Sequence, residues 1–184
     1  MQKKERQIET PYIKEFSEKH HFKLYEMENN IEGGDVLHHN DVIFVGLSSR
    51  TKLAAIDELK AAFSKFKISA EVIPISFDTT KPHLDCVFNT LDKDHGVICP
   101  YVFNYQDIRK YVPNLYEITK TDADNFGTNF VNLGNKKVLC SNMNVADMLN
   151  NEGCDVQYID YSEINKNEGS LGCSILYLNR NRKF

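Results

Sequence analysis

No apolar run in this chain approaches the roughly 20 residues that a membrane-spanning helix needs, so no span is expected in its 184 residues. The opening Met1-Gln2-Lys3-Lys4-Glu5-Arg6 is basic, but no apolar stretch follows it. A secretory signal is therefore not expected. Positive charge is not in excess: 26 acidic residues face 22 Lys and Arg, for a net charge of −4. That argues against a nucleic-acid binder, which would present a basic face. The five cysteines are odd in number and lack the close pairs of a zinc site or a disulfide framework. They imply a reduced, cytoplasmic setting in which Cys86, Cys99, Cys140 and Cys154 are buried as small apolar residues. His20-His21 and His38-His39 look like metal pairs, but nothing else in the sequence converges on them. They are read as surface residues, and neither a metal nor an organic cofactor is expected.

What is present is enough apolar material for a core, 41% of the chain, arranged as a repeat. Asp41-Val42-Ile43-Phe44-Val45-Gly46 is a β-branched run. The stretch Leu53 to Phe66 follows, with Leu53, Ile56, Leu59, Ala62, Phe63 and Phe66 at helical spacing. A second apolar run comes at Val72-Ile73-Pro74-Ile75. The same order recurs as Gly96 to Pro100, helix Tyr105 to Tyr111, Leu115 to Ile118, and again as Lys137 to Ser141, helix Val145 to Glu152, Val156 to Ile159. Each copy follows a further strand and a tight turn: Asp35 to Leu37, Asp85 to Thr90, and Phe130 to Leu133. Short strands separated by Gly, Asn and Asp read as hairpins, and Asp92-Lys93-Asp94-His95 is a hairpin tip. The unit is strand, strand, helix, strand, repeating roughly every 40 to 55 residues. A helix from about Glu5 to Lys19, kinked by Pro11, and a strand at Lys23 to Met27 resemble the back half of another unit. A last strand, Ser174 to Leu178, is expected to close onto an earlier one.

Three strings stand outside this packing logic: Glu32-Gly33-Gly34-Asp35, Lys81-Pro82-His83-Leu84-Asp85-Cys86 and Gly169-Ser170-Leu171-Gly172-Cys173. With Gly46-Leu47-Ser48-Ser49-Arg50-Thr51 and Asp160-Tyr161-Ser162-Glu163-Ile164, they resemble the pentein superfamily over essentially the whole chain. That superfamily comprises arginine deiminases, dimethylarginine dimethylaminohydrolases, agmatine deiminases and amidinotransferases. The resemblance implies an α/β fold, a partial five-bladed propeller forming one domain over residues 1–184. The family has a Phe-x-Arg-Asp-type segment before the first helix found here. The chain is accordingly expected to be truncated at its N-terminus, holding three units and a half. Exposed blade faces would then favour a homo-oligomer or a complementary N-terminal fragment.

The resemblance also assigns roles. The substrate is a small guanidino compound, arginine or a methylated arginine, converted to citrulline. Cys173 is the nucleophile, His83 the general acid and base, and Glu32 the residue that fixes the His83 tautomer. Asp85 accepts paired N–H bonds from the guanidinium, and Arg50 contacts the substrate α-carboxylate. From the residues themselves, alternation sets His83 and Asp85 on one face of a strand, and Asp35 reads as structural. The dimethylaminohydrolase-like branch fits the compact units. An amidinotransferase would use the same residues, and a non-catalytic remnant would keep the fold alone.

Overall fold

The computed structural model describes residues 8–177. Helix α1 runs Thr10–Lys19. Then come β1 Val36–His39, β2 Val42–Leu47, α2 Leu53–Phe66 and β3 Glu71–Ser76. The second unit is β4 Phe88–Thr90, β5 His95–Ile98, α3 Tyr105–Arg109 and β6 Asn114–Glu117. After α4 Lys120–Asp124, the third is β7 Val131–Gly134, β8 Lys137–Cys140, α5 Met143–Asn151 and β9 Asp155–Tyr158. Helix α6, Ser162–Asn165, follows. Among the described residues this makes three separate three-stranded sheets. In each, an antiparallel hairpin is followed by a helix and a third strand parallel to the middle one. The expected strand-strand-helix-strand unit is present three times.

The middle strands carry the core because they are covered on both faces. On β2, Val42 and Phe44 join a large apolar cluster that runs through all three units, with Phe88, Val97, Ile108, Val138 and Leu149. Ile43 and Val45 point the other way and pack with Ile56 of α2 and Val72 of β3. The two-residue alternation of a strand produces this division. Pro74 lies on β3, which pairs with β2 alone, and such an edge position tolerates the missing N–H. The seams between units are stapled by asparagines that satisfy main-chain groups. Asn104 accepts from Ser76 N at 2.7 Å and donates to Pro74 O at 3.2 Å. Asn89 donates to the carbonyls of Thr128 and Phe130 at 2.9 and 3.0 Å.

Several expectations are corrected. Pro11 sits in the first turn of α1, where its missing N–H has no helical partner to lose, so it begins the helix instead of kinking it. Residues 23–27 form no strand. The stretch expected as a closing strand from Ser174 begins instead with a 3-10 turn, Gly172–Ser174, and 175–177 lie in no strand and are exposed; Leu178 and the tail lie outside the described residues. His39 is not a surface residue but 1% exposed, with Nε2 3.1 Å from Lys93 O. Burial lowers its pKa. No cluster of metal-binding side chains occurs among the described residues, and no helix there is long and apolar enough to cross a membrane.

Candidate active site

The chain between Ile31 and β1 closes in a 3-10 turn, Gly33–Asp35, that drives Asp35 fully inward. Buried carboxylates need donors, and Asp35 has three. Ser48 Oγ and Thr51 Oγ1 each donate to Oδ2 at 2.7 Å, and Leu84 N donates to Oδ1 at 3.1 Å. Ser48 Oγ in turn accepts from Arg50 N and Thr51 N at 3.1 and 3.0 Å. One carboxylate therefore fixes both the loop that carries Arg50 and the turn that carries His83. Glu32 is nearly buried at the head of the same turn. Its N–H donates to Thr51 Oγ1 at 3.1 Å and its carbonyl accepts from Asp35 N at 3.0 Å.

His83 and Asp85 do not share a strand face. Leu84–Cys86 is a 3-10 turn with His83 at its head, and β4 starts only at Phe88. The anchor is Leu84, fully buried in the core with its N–H on Asp35; this tertiary bond replaces the ladder that an extended chain would have made. Two glycines let the turn approach. A Cβ on Gly34 would lie 2.9 Å from His83 Cγ and 3.2 Å from Asp85 Oδ1, and one on Gly46 would meet Leu84 Cβ at 2.7 Å. His83 Nδ1 is enclosed and lies 3.6 Å from Asp35 Oδ2, just outside hydrogen-bond length. Arg50 Nη1 is 3.2 Å from His83 Nε2. A guanidinium only donates, so in this arrangement Nε2 is the acceptor and the ring proton sits on Nδ1, toward Asp35.

Cys173 reaches the site on a short turn held from behind. Leu171 and Ser170 are buried, and Ser170 Oγ meets Ser141 Oγ at 3.0 Å. The Asn129 side chain then grips the turn. Its Oδ1 accepts from Gly172 N at 2.9 Å and from Cys173 N at 3.4 Å, and lies 3.6 Å from Cys173 Sγ. The preceding residue, Thr128, donates its hydroxyl to Asp85 O at 2.9 Å. Thr128-Asn129 thus joins the Asp85 turn to the Cys173 turn. Asn129 is 1% exposed, and its side chain faces the Asp85 carboxylate, whose charged form it favours.

The electrostatics follow from burial. Asp85 is 8% exposed. Desolvation lifts its pKa from the ordinary 3.8 to about 6, with Asp35 adding to the rise and His83, Cys86 and Asn129 opposing it. Cys86 Sγ donates to Asp85 Oδ1 at 3.5 Å. The Cys173 thiol is also pushed up, first by desolvation and then by the negative charge of Asp85. Cys173 is exposed as a residue, while Cys86, Cys99 and Cys140 are buried and Cys154 is half-buried. Its sulfur nevertheless lies 3.6 Å from Asn129 Oδ1, a contact that opposes the rise without cancelling it.

The structure thus sets His83 between Asp35 and Arg50, and puts Asp85 within electrostatic reach of both His83 and Cys173. Asp35, read from the sequence as structural, anchors Ser48, Thr51 and Leu84 and also lies 3.6 Å from His83 Nδ1. Asn129 and Thr128 were missed, although an Asn before a buried strand with a polar Thr beside it was a signal of side-chain bridging. A thiol, an imidazole and a buried carboxylate can together carry out addition to, and protonation of, a cationic carbon centre.

Comparison with known proteins fits this geometry. The arginine deiminase family model matches residues 1–122. An uncharacterized protein, YkgA of Bacillus subtilis, is 31% identical over 180 residues, 95% of this chain and 62% of that one. A dimethylarginine dimethylaminohydrolase of Streptomyces coelicolor is 27% identical over 145 residues, 78% of this chain and 52% of that one. The chain therefore spans little more than half the length of these curated relatives. Among solved structures, the N-terminal domain of ArgZ, an arginine dihydrolase of cyanobacteria, superposes with a TM-score of 0.80 at 26% identity, covering 94% of this chain and 66% of that one. The same domain is also known, as a variant, covalently bound to a reaction intermediate. The Streptomyces relative and ArgZ are enzymes of arginine-type guanidino compounds, and the three units share the α/β propeller architecture of the pentein superfamily. The chain belongs to the arginine deiminase family.

Proposed function

We propose that this chain hydrolyses the guanidinium of arginine or a methylated arginine to the ureido group of citrulline, with Cys173 as nucleophile. The observation that carries the reading is Asp85. It is a buried carboxylate whose ionisation is opposed by its surroundings, and no Lys or Arg forms an ion pair with it among the described residues. Such a group is completed by a cation from outside. A bound guanidinium would favour both the Asp85 carboxylate and the Cys173 thiolate, since a nearby positive charge stabilises each.

In this reading the Cys173 thiol passes its proton to His83 Nε2, Sγ attacks the guanidinium carbon, and the C–N bond to the departing amine breaks as His83 gives that nitrogen the proton. A thiouronium on Cys173 remains. Water attacks its carbon and gives one proton to His83, the C–S bond breaks as His83 returns that proton to the sulfur, and the hydroxyl proton left on the product goes to solvent, which leaves citrulline and the resting thiol. Asp35 holds the His83 turn, Glu32 fixes the His83 tautomer, Asp85 receives the guanidinium, and Arg50 receives the substrate carboxylate. Hydrolysis is favoured over transfer to a second amine because the Streptomyces relative is a dimethylaminohydrolase and ArgZ an arginine dihydrolase. A cytoplasmic protein with no nucleic-acid partner is proposed with it. Tyr12, Ile13 and Phe16 on α1 and Ile175 to Tyr177 are exposed; a second copy or a complementary polypeptide is the proposed cover.

The test is a product assay on arginine, monomethylarginine and asymmetric dimethylarginine. Citrulline should appear together with an equal amount of ammonia, methylamine or dimethylamine, respectively, from at least one of them. A folded chain that yields no citrulline from any of the three contradicts the proposal.

A further inference from the structure

We infer that Arg50 is a carboxylate-operated gate on His83, and this rests on the hydrolase reading above. The Arg50 guanidinium is engaged with the imidazole, with Nη1 3.2 Å from Nε2. While that contact lasts, Nε2 cannot carry a proton, because its lone pair points at a donor that never accepts one. The other ring nitrogen faces Asp35, enclosed at 3.6 Å, so Nε2 is the nitrogen left to serve a reacting group. While Arg50 stays on Nε2, the site is held with its proton carrier occupied.

The hold is of a kind that a ligand can break. Arg50 forms no ion pair among the described residues. Its main chain is pinned through Ser48 Oγ to Asp35, so the side chain alone has to swing. A neutral imidazole is a weaker partner for a guanidinium than a carboxylate, which takes two parallel charge-assisted bonds. A guanidine that brings a carboxylate therefore draws Arg50 away and frees Nε2. One without a carboxylate leaves Arg50 in place. Selection against such compounds then appears in the proton-transfer steps and not only in binding.

The test compares arginine with agmatine, its decarboxylated analogue, on the full chain and on Arg50→Ala. Occupation of the general acid should cost wild type on the order of 10²-fold in kcat for agmatine relative to arginine. Arg50→Ala should lower kcat/KM for arginine yet raise kcat for agmatine about tenfold or more, since the block is gone while no agmatine contact is lost. If Arg50 only binds the carboxylate, the substitution raises KM for arginine and leaves kcat for agmatine unchanged, which overturns the gate. A second measurement does not depend on turnover. In [15N]histidine NMR, with His83 assigned through His83→Gln, Nε2 should show the signature of an unprotonated acceptor bonded to Arg50. That signature should change both in Arg50→Ala and on adding citrulline to wild type. If wild type turns over no guanidine, the hydrolase reading fails and this titration decides the gate alone: a response to both changes supports it, and silence in either overturns it.

Discussion

Asp85→Asn should give a chain more stable than wild type at neutral pH and nearly inert toward cationic guanidines. Burial raises the Asp85 pKa to about 6, against about 3.9 for an unfolded chain. A shift of about two units corresponds to about 3 kcal/mol of native-state cost once the group is ionised. The sign follows from the raised value. The native state holds this proton more tightly than the unfolded one, so the stability it contributes is full below about pH 4. It falls as pH rises from about 4 to about 6, and is gone above. An isosteric amide carries no charge to desolvate. Denaturant melts should show the variant gaining about 1–3 kcal/mol at pH 7.5 and nothing near pH 4. The same substitution removes the charged acceptor for the substrate cation, and kcat/KM should fall by on the order of 10² to 10³. For wild type, kcat/KM should decline as pH drops below about 6, because the free enzyme then carries a neutral Asp85. Lower stability of the variant at pH 7.5 would contradict the view of Asp85 as an uncompensated buried charge.

Cys173 should react slowly with neutral alkylating agents and quickly with a cationic one. Desolvation and the charge of Asp85 both hold its thiol protonated, so iodoacetamide meets little thiolate at pH 7. A haloacetamidine carries the planar cation that Asp85 is short of. Bound there, it should favour the thiolate by one unit of pKa or more, for an acceleration of about tenfold to a thousandfold. Peptide mapping should find the label on Cys173 and not on Cys86, Cys99 or Cys140, which are buried, with Cys154 minor. The cationic preference should collapse in Asp85→Asn. Preferential labelling of any other cysteine would remove Cys173 from the mechanism.

The repeat was legible because its helices and strands follow local period: α2 spans the same residues, Leu53–Phe66, that its apolar spacing marks. The short helices α4 and α6 carry too little periodicity to register. The former is instead announced by a cap, Thr119 Oγ1 accepting from Asp122 N at 3.0 Å. The His83 turn failed for a tertiary reason. Alternation favours a strand through Asp85, but the Leu84 N–H finds Asp35, 49 residues earlier, and the chain bends. Asp35 carries the same lesson. Its neighbours in sequence explain its burial, while the proximity of His83 arises only when two turns from different stretches meet. The candidate site residues rest on motif resemblance, whereas Ser48, Thr51, Thr128 and Asn129, which brace them, emerge only through contacts.

The account turns on a covalent step at Cys173, and acid-quenched turnover read by intact mass is the most direct test. Full-length chain mixed with excess arginine or asymmetric dimethylarginine and quenched during steady state should carry a thiouronium adduct. Its mass is that of the substrate less ammonia or dimethylamine, and it should map to Cys173. The Cys173→Ser variant should form neither adduct nor citrulline. Citrulline produced at an undiminished rate by Cys173→Ser, or an adduct that maps to another cysteine, would contradict it.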